Sequence, residues 1–349
     1  MRVLHVLCDL NGGGAERLVL DLCRFAPPEE RHEVALLHEG GEWTAGFEAA
    51  NIPIYTVGRR RRSLGVGALL NLRDLMRGVD VVHTHLWAAD TWGRTAAQMA
   101  KVPVVISTQH DTRPESRWKG ALATRMAPLT TSIVCVSLAT ARVYQQQGIP
   151  FKQIEIIPNG VDLGRFPPRN SPVGPLKNLL AIGRLHPQKG FDTLIGVVGA
   201  LPWLNLTLLG AGPDEEYLRR LATPFRDRIH FAGWQADTRP YLAAADLMVI
   251  PSRWEAFGLV AVEALASGVP VMASRVEGLT EVVGRAGLLL PPEEPRLWQE
   301  GLIMLRDQPT LRTTFSKEGP IRASRYHIRN TSAAYSALYQ RLLHTPSTR

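Results

Sequence analysis

Cysteine is scarce in this chain. Cys8, Cys23 and Cys135 are its three cysteines, each inside an apolar run. They read as small buried hydrophobes in a reducing compartment, not as a disulfide framework or a metal site. Long apolar runs are missing too: charge interrupts each one before the about 18 residues that a membrane-spanning helix needs. The opening "MRVLHVLCDLNGGG" ends its apolar stretch at Asp9 and the glycines, too early for a secretory core, so the expectation is no export signal and a cytoplasmic protein. Zinc-finger and helix-turn-helix spacings are absent, and aromatic residues are not interleaved with basic ones, which argues against nucleic acid as a partner. No low-complexity tract appears. A composition of 45% hydrophobic and 21% charged residues is that of a soluble globular protein.

What the chain does have is length and positive charge. Its 349 residues suit two domains, each able to bury its own core. The formal net charge of +8 admits an anionic partner such as a phosphorylated substrate or an anionic membrane surface. Its densest cluster is Arg59 to Arg62 in "GRRRRS", either a solvated loop or a contact for acidic head groups or acceptor phosphates.

Short β-branched and leucine-rich runs alternate with helical patterns from the first residues: "RVLHVL", "EVALL", "IPIYTV", "VDVVHT", "VPVVIST" and "SIVCVS". Runs of this kind, separated by helices, predict parallel strands buried on both faces. The pattern breaks in the proline- and glycine-rich "IPNGVDLGRFPPRNSPVGP" and restarts with "NLLAIGRL", "LNLTLLGAG", "IHFAGW", "ADLMVIPS" and "VPVMAS". We therefore expect two α/β domains, residues 1–163 and 164–327, joined at that linker. A last helix, residues 328–349, offers Tyr335, Leu338, Tyr339 and Leu342 at helical spacing. Either half could receive it, and the first domain is the expected host.

Ligands of open parallel sheets sit outside the carboxyl ends of the strands, so the loops there carry the question of function. After the first strand comes "DLNGGGAERL", where Gly13 and Gly14 allow close backbone approach and the next helix aims its amides outward. Glu16 follows, either facing a ligand or simply stabilised by the helix dipole. The spacing is neither a dinucleotide fingerprint nor a P-loop. In "AIGRLHPQKGFDTLI", Arg184 and Lys189 flank the turn after Gly183, two cations suited to holding a diphosphate and neutralising it as a leaving group. "LLGAGPDEEYL" repeats the strand, glycine turn and helix at Gly210 and Gly212, a weak signal alone.

"PSRWEAFGLVAVEALASG" reads as strand end, loop and helix, with Glu255 in the loop and Glu263 within the helix. A helical separation of eight residues spans about 12 Å, so the two carboxylates are separate acceptors and not a dyad sharing a proton. Between them Ala256, Phe257, Gly258 and Leu259 place amides at a helix N-terminus, an anion site. Acceptors for hydroxyls beside donors for phosphate make a nucleotide-sugar site. The plainer reading is that Glu255 caps the helix and Glu263 faces solvent.

These motifs, with "IPNGVDLGRF", "FAGW" and "GVPVMAS", occur in an order covering nearly the whole chain, and the sequence resembles the retaining GT-B glycosyltransferases of family 4. That resemblance implies an α/β GT-B fold of two Rossmann-like domains facing across a cleft. It implies that Arg184 and Lys189 hold the donor diphosphate, that Glu255 contacts the transferred sugar and that Glu263 binds the ribose. Ala256 to Leu259 would reach phosphate and sugar, and Gly183 and Gly212 would line the donor. The backbone near Gly233 and Trp234 would frame the base. Gly13, Gly14 and Glu16 would close over donor and acceptor, and His110 in "ISTQHDT" matches a position near the reacting sugar, although a lone histidine is as readily structural.

The other common nucleotide-sugar transferase fold uses an Asp-x-Asp metal site, and no two aspartates of this chain stand two apart. The expectation is therefore no metal and no cofactor, with a nucleoside diphosphate sugar such as a UDP-sugar as co-substrate. The acceptor would be a glycan, a lipid-linked sugar or a small molecule in glycan, lipopolysaccharide or glycolipid biosynthesis, read by first-domain loops such as "HLWAADTW". Location would be cytoplasmic, with peripheral contact on the inner membrane face as one option. Rival readings are a nucleotide-sugar epimerase or a phosphorylase of the same fold and, more distantly, a basic non-catalytic binding protein.

Overall fold

The computed structural model describes residues 1–11, 13–58, 65–112, 117–169 and 174–345. Gly12 and the arginine cluster Arg59 to Arg62 lie outside the described residues. Two compact units are present: Met1–Gly160 together with Ile328–Arg349, and Val161–His327.

In the first unit, strands β1 (Arg2–Leu7), β2 (Arg31–Leu36), β3 (Ile54–Thr56), β4 (Val81–His85), β5 (Val104–Gln109), β6 (Ser132–Cys135) and β7 (Ile154–Ile156) form one parallel sheet in the order β3-β2-β1-β4-β5-β6-β7. Both faces are covered, which is why these strands are rich in apolar residues. Leu4, Val6, Ala35, Val82 and Val105 pack on one face with Leu72, Ala89 and Ala96 of the helices Val66–Leu75 and Trp87–Ala100 and with Met76, which caps the first of them. On the other face Val3, Val81, Val104 and Ile106 pack with Leu18 and Leu22 of the helix Gly14–Arg24 and with Tyr335, Leu338 and Tyr339 of the helix Ile328–His344.

In the second unit β8 (Asn178–Ile182), β9 (Asn205–Leu209), β10 (Ile229–Gly233), β11 (Leu247–Ile250), β12 (Val271–Ser274) and β13 (Leu288–Leu290) form a parallel sheet in the order β10-β9-β8-β11-β12-β13. Its core gathers Leu179, Ala181, Leu206, Leu208, Val249 and Met272 with Phe191, Leu194, Trp298 and Leu302. Each sheet reverses its winding beside its first strand, at β1/β4 and at β8/β11. Such a reversal splays the following loops apart and leaves a crevice at the carboxyl edge.

The division between the units falls after Gly160, a correction to the expected boundary after Leu163. Val161 pairs with His327 in a parallel bridge, and its N–H donates to the Tyr326 carbonyl at 2.9 Å. Residues 161–163 are thereby built into the second unit. Gly160 remains with the first unit, where a Cβ would stand 2.6 Å from Ile328 Cα. Among the described residues no helix is long and apolar enough to cross a membrane.

Candidate functional site

In the second unit the loops after β8 and β11 meet at the sheet's reversal. The turn Pro187–Lys189 is capped by His186, whose Nδ1 accepts from the Gln188 N–H at 3.2 Å. Gly190 then adopts a left-handed φ of +64° against the Pro251 carbonyl, which leaves no room for a Cβ. This aims Lys189 across the gap, and its Nζ donates to Glu255 Oε2 at 2.5 Å. Ser252 Oγ adds a second donor to the same oxygen at 3.3 Å. Lys189 and Glu255 side chains keep 17% and 12% exposure, so the pair is shielded but reachable. Glu255 is thus an acceptor held by a lysine, not a helix cap.

Arg253, which sequence reasoning passed over, holds these two loops together. Its guanidinium donates to the Pro187 carbonyl at 2.5 Å, to Asp192 Oδ2 at 2.8 Å and to Glu293 Oε1 at 2.7 Å. The Asp192 hydrogen bond, more than any other contact, raises the arginine's pKa further. Its place two residues before Glu255 was the available signal. Gln188 completes the staple, with Nε2 on the Trp254 carbonyl at 3.1 Å.

Arg184 is exposed at the mouth of β8, next to Gly183, where a Cβ would stand 3.3 Å from Lys189 Cε. Ala256 and Phe257 are buried, Phe257 edge-on to Tyr326 with centroids 5.3 Å apart. Gly258 takes φ +99° and opens the helix Leu259–Ala266 without a side-chain cap, and amides at such a helix start are suited to an anion. Glu263, half-buried on that helix, accepts from Thr238 Oγ1 at 3.4 Å, so it does not simply face solvent. Gly233 (φ +70°) turns the chain at the end of β10 before half-buried Trp234. Gly212 has a packing reason for its identity: a Cβ there would press on Leu185 N at 2.7 Å.

In the first unit, Gly13 precedes the helix Gly14–Arg24, whose first turn buries Glu16. Burial pushes the Glu16 carboxyl up to about 7. His110, just beyond β5, is half-buried, and burial holds its imidazole down at about 4 against the opposing charge of Asp90. Asp90 anchors this corner: it accepts from Thr84 Oγ1 and Ser107 Oγ, both at 2.5 Å, from Gln109 Nε2 at 2.8 Å and from Arg94 NH2 at 3.2 Å. Beside it Leu86 takes φ 69° and ψ 158°, a region nearly restricted to glycine and a mark of a constrained site. "HLWAADTW" therefore opens on strain.

Among the described residues, metal-type side chains cluster in two groups, His5 with Cys23 and His32, and His5 with His83 and His85, their ligand atoms lying within 4.8 Å. Both nitrogens of His5, His83 and His85 already engage protein partners, those of His83 being Tyr339 and Thr108. Cys23 is a free thiol whose pKa burial raises strongly.

Residues 12–165 match the Glycosyltransferase Family 4 model, and residues 176–308 match Glycosyl transferases group 1. The chain is 31% identical over 293 residues to glycogen synthase of Mycobacterium tuberculosis, covering 77% of this chain and 68% of that protein. It is 31% identical over 278 residues to D-inositol 3-phosphate glycosyltransferase of Pseudarthrobacter chlorophenolicus, covering 70% and 66% respectively. The chain thus spans about two thirds of the length of these curated relatives. The crystal structure of Anabaena HepE in complex with UDP and glucose superposes with a TM-score of 0.89, at 22% identity, over 97% of this chain and 99% of that one. Two parallel α/β units, motifs in order and these matches agree: the chain belongs to the family 4 glycosyltransferases and has the GT-B fold.

Proposed function

We propose that this protein transfers a sugar from a nucleoside diphosphate sugar to an acceptor hydroxyl, with retention of configuration and without a metal ion. The observation that carries the reading is the Lys189–Glu255 pair at the reversal of the second sheet, with Arg184 exposed beside it. A lysine and an arginine at that edge suit a diphosphate whose negative charge grows as the glycosidic bond breaks. Glu255 offers an acceptor to hydroxyls of the sugar, and the open amides from Ala256 to Leu259 offer donors to phosphate. Glu263 takes the ribose, and the Gly233–Trp234 backbone takes the base. HepE, which shares the fold, binds UDP and glucose, which supports a UDP-sugar as first donor to try. In the first unit Gly13, Gly14, Glu16 and His110 serve the acceptor and the reacting sugar.

With Glu255 engaged by Lys189 and Glu263 eight residues further on, along the next helix, the leaving group itself is the better base: its departing oxygen takes the acceptor proton on the same face. The acceptor is a glycan or lipid-linked sugar in glycan or lipopolysaccharide assembly, met in the cytoplasm or on the inner face of an anionic membrane. A thermal-shift panel of nucleoside diphosphate sugars tests the donor, because a ligand at 100 times its Kd stabilises the fold by about 2.7 kcal/mol. NMR of the product then reads the anomer. An inverted product, full loss of activity in EDTA restored by a divalent ion, or donor turnover without any acceptor would each overturn the reading.

A further inference from the structure

Four histidines of the first unit form a diagonal row. His32 lies near the start of β2, His5 in β1, His85 at the end of β4 and His110 just past β5. The register pairs His32 with Val3, His5 with His83 and His85 with Thr108. Each histidine therefore stands one strand across and two residues nearer the carboxyl edge than the one before. A two-residue step returns a side chain to the same face, so all four imidazoles share one surface of the sheet.

Hydrogen bonds close the row end to end. His110 Nε2 meets His85 Nδ1 at 3.2 Å, His85 Nε2 meets His5 Nδ1 at 3.1 Å, and His5 Nε2 meets His32 Nδ1 at 2.9 Å. His32 Nε2 meets Glu30 Oε2 at 3.0 Å, and Ser336 Oγ donates to Oε1 of the same carboxylate.

We propose that Glu30, at the amino edge of the sheet, fixes the tautomer of His110 at the carboxyl edge, so that His110 carries its proton on Nε2 and presents Nδ1 as an acceptor. An ionised carboxylate only accepts. It demands N–H at His32 Nε2, which leaves His32 Nδ1 a lone pair, which demands N–H at His5 Nε2, and so along the row. A neutral imidazole has one donor and one acceptor, so a single charge at one end orders all four rings. Burial favours the neutral form of His5, His85 and His110 by pushing their pKa values down. Burial alone would raise the Glu30 carboxyl, but the bonds from His32 and Ser336 outweigh it and hold it low. Among the described residues, titratable groups facing the row include Cys23, His83, Tyr335 and Tyr339, with Asp90 acting on His110 and the N-terminal amine on Glu30.

The row also defines where a proton goes. When Nδ1 of His110 takes one, its Nε2 proton passes to His85 Nδ1 and that of His85 to His5 Nδ1. The Nε2 proton of His5 then passes to His32 Nδ1 and that of His32 to Glu30 Oε2. Every ring ends as the neutral Nδ1–H tautomer, and the carboxylate becomes a neutral acid. Glu30 and the three inner histidines are positioning residues. The use of His110 Nδ1 toward a sugar hydroxyl rests on the function proposed above, whereas the tautomer does not.

Nitrogen-15 NMR of the full chain labelled at histidine tests this directly. In the wild type, His5, His32, His85 and His110 should each show a protonated Nε2 and an unprotonated Nδ1. Finding the Nδ1–H form at any of the four overturns the proposal without any variant, as does a stoichiometric metal ion held between His5 and His85. In Glu30→Gln, whose amide can donate as well as accept, the Nδ1-protonated form of His110 should rise by roughly tenfold or more, the difference between a charge-assisted and a neutral bond. An unchanged His110 tautomer in a folded Glu30→Gln protein also overturns it. A changed tautomer with unchanged turnover supports the relay and removes His110 from the reaction, separating the two proposals.

Discussion

Lys189 Nζ lies 2.5 Å from Glu255 Oε2, joining the loop after β8 to the loop after β11. The pair is mostly shielded, so removing the cation leaves a carboxylate with, among the described residues, the Ser252 hydroxyl bonded to that oxygen. Lys189→Ala should lower stability by about 1–2 kcal/mol, a modest loss because both groups keep contact with water. Turnover should fall by about 100-fold or more, the scale of a lost transition-state donor. Urea unfolding and initial rates measured on the same preparation separate the two. Near wild-type turnover would remove Lys189 from the chemistry.

Gly258 combines a φ of +99° with a Cβ position 2.6 Å from Leu279 Cδ2. A side chain there meets backbone strain and a packed neighbour together. Gly258→Ala should cost about 2–4 kcal/mol and tilt the first turn of the helix Leu259–Ala266. Thermal unfolding gives the cost, and weakened nucleotide binding would report the disturbed amides.

Glu16 links stability to pH. Its carboxyl titrates near about 7 in the folded chain against an ordinary 4.5 because it is buried. As pH rises above 4.5 the unfolded chain gains from ionising Glu16 while the folded chain does not, so this group destabilises progressively up to pH 7. The full effect is at most roughly 3 kcal/mol. Glu16→Gln should therefore match the wild type at pH 4 and become more stable than it between pH 5 and 8. A constant difference across that range in denaturant titrations would contradict the assignment.

The buried histidines work in the opposite sense. His110 titrates near about 4, and His5, His83 and His85 are also pushed below 6.5 by burial. Below pH 6.5 the unfolded chain takes up protons that these folded rings refuse, so stability drops as pH falls through that window. Acid unfolding monitored by the tyrosines of the Ile328–His344 helix should begin below pH 6.5 in the first unit.

Tyr339 donates to or accepts from His83 Nδ1 at 2.7 Å in a fully buried setting. Tyr339→Phe keeps the ring but strands that nitrogen, at a cost of about 1–3 kcal/mol. A denaturation midpoint unchanged from wild type would show that a water replaces the hydroxyl.

The elements and the loops at the carboxyl edge of the second sheet were legible from local pattern. "AIGRLHPQKG" and "PSRWEAFGLVAVE" announce strand, turn and helix by composition, and the cations and carboxylates sit at positions any parallel sheet exposes. Arg253 was not legible, because its worth comes from Pro187, Asp192 and Glu293, partners far along the chain. Gly212 looked like a ligand glycine, yet its missing side chain also makes room for the backbone of Leu185.

The sequence by itself determined two parallel α/β units, their helix and strand order and the chemical types present at their carboxyl edges, because periodicity and turn chemistry are local. Only the tertiary structure decided that Val161 belongs to the second unit and that the last helix covers the first unit's sheet. Strand register, too, decided that His32, His5, His85 and His110 stand on one face in a single hydrogen-bonded row. Register is a relation between strands, set by the packing of whole faces, and no single stretch of residues contains it.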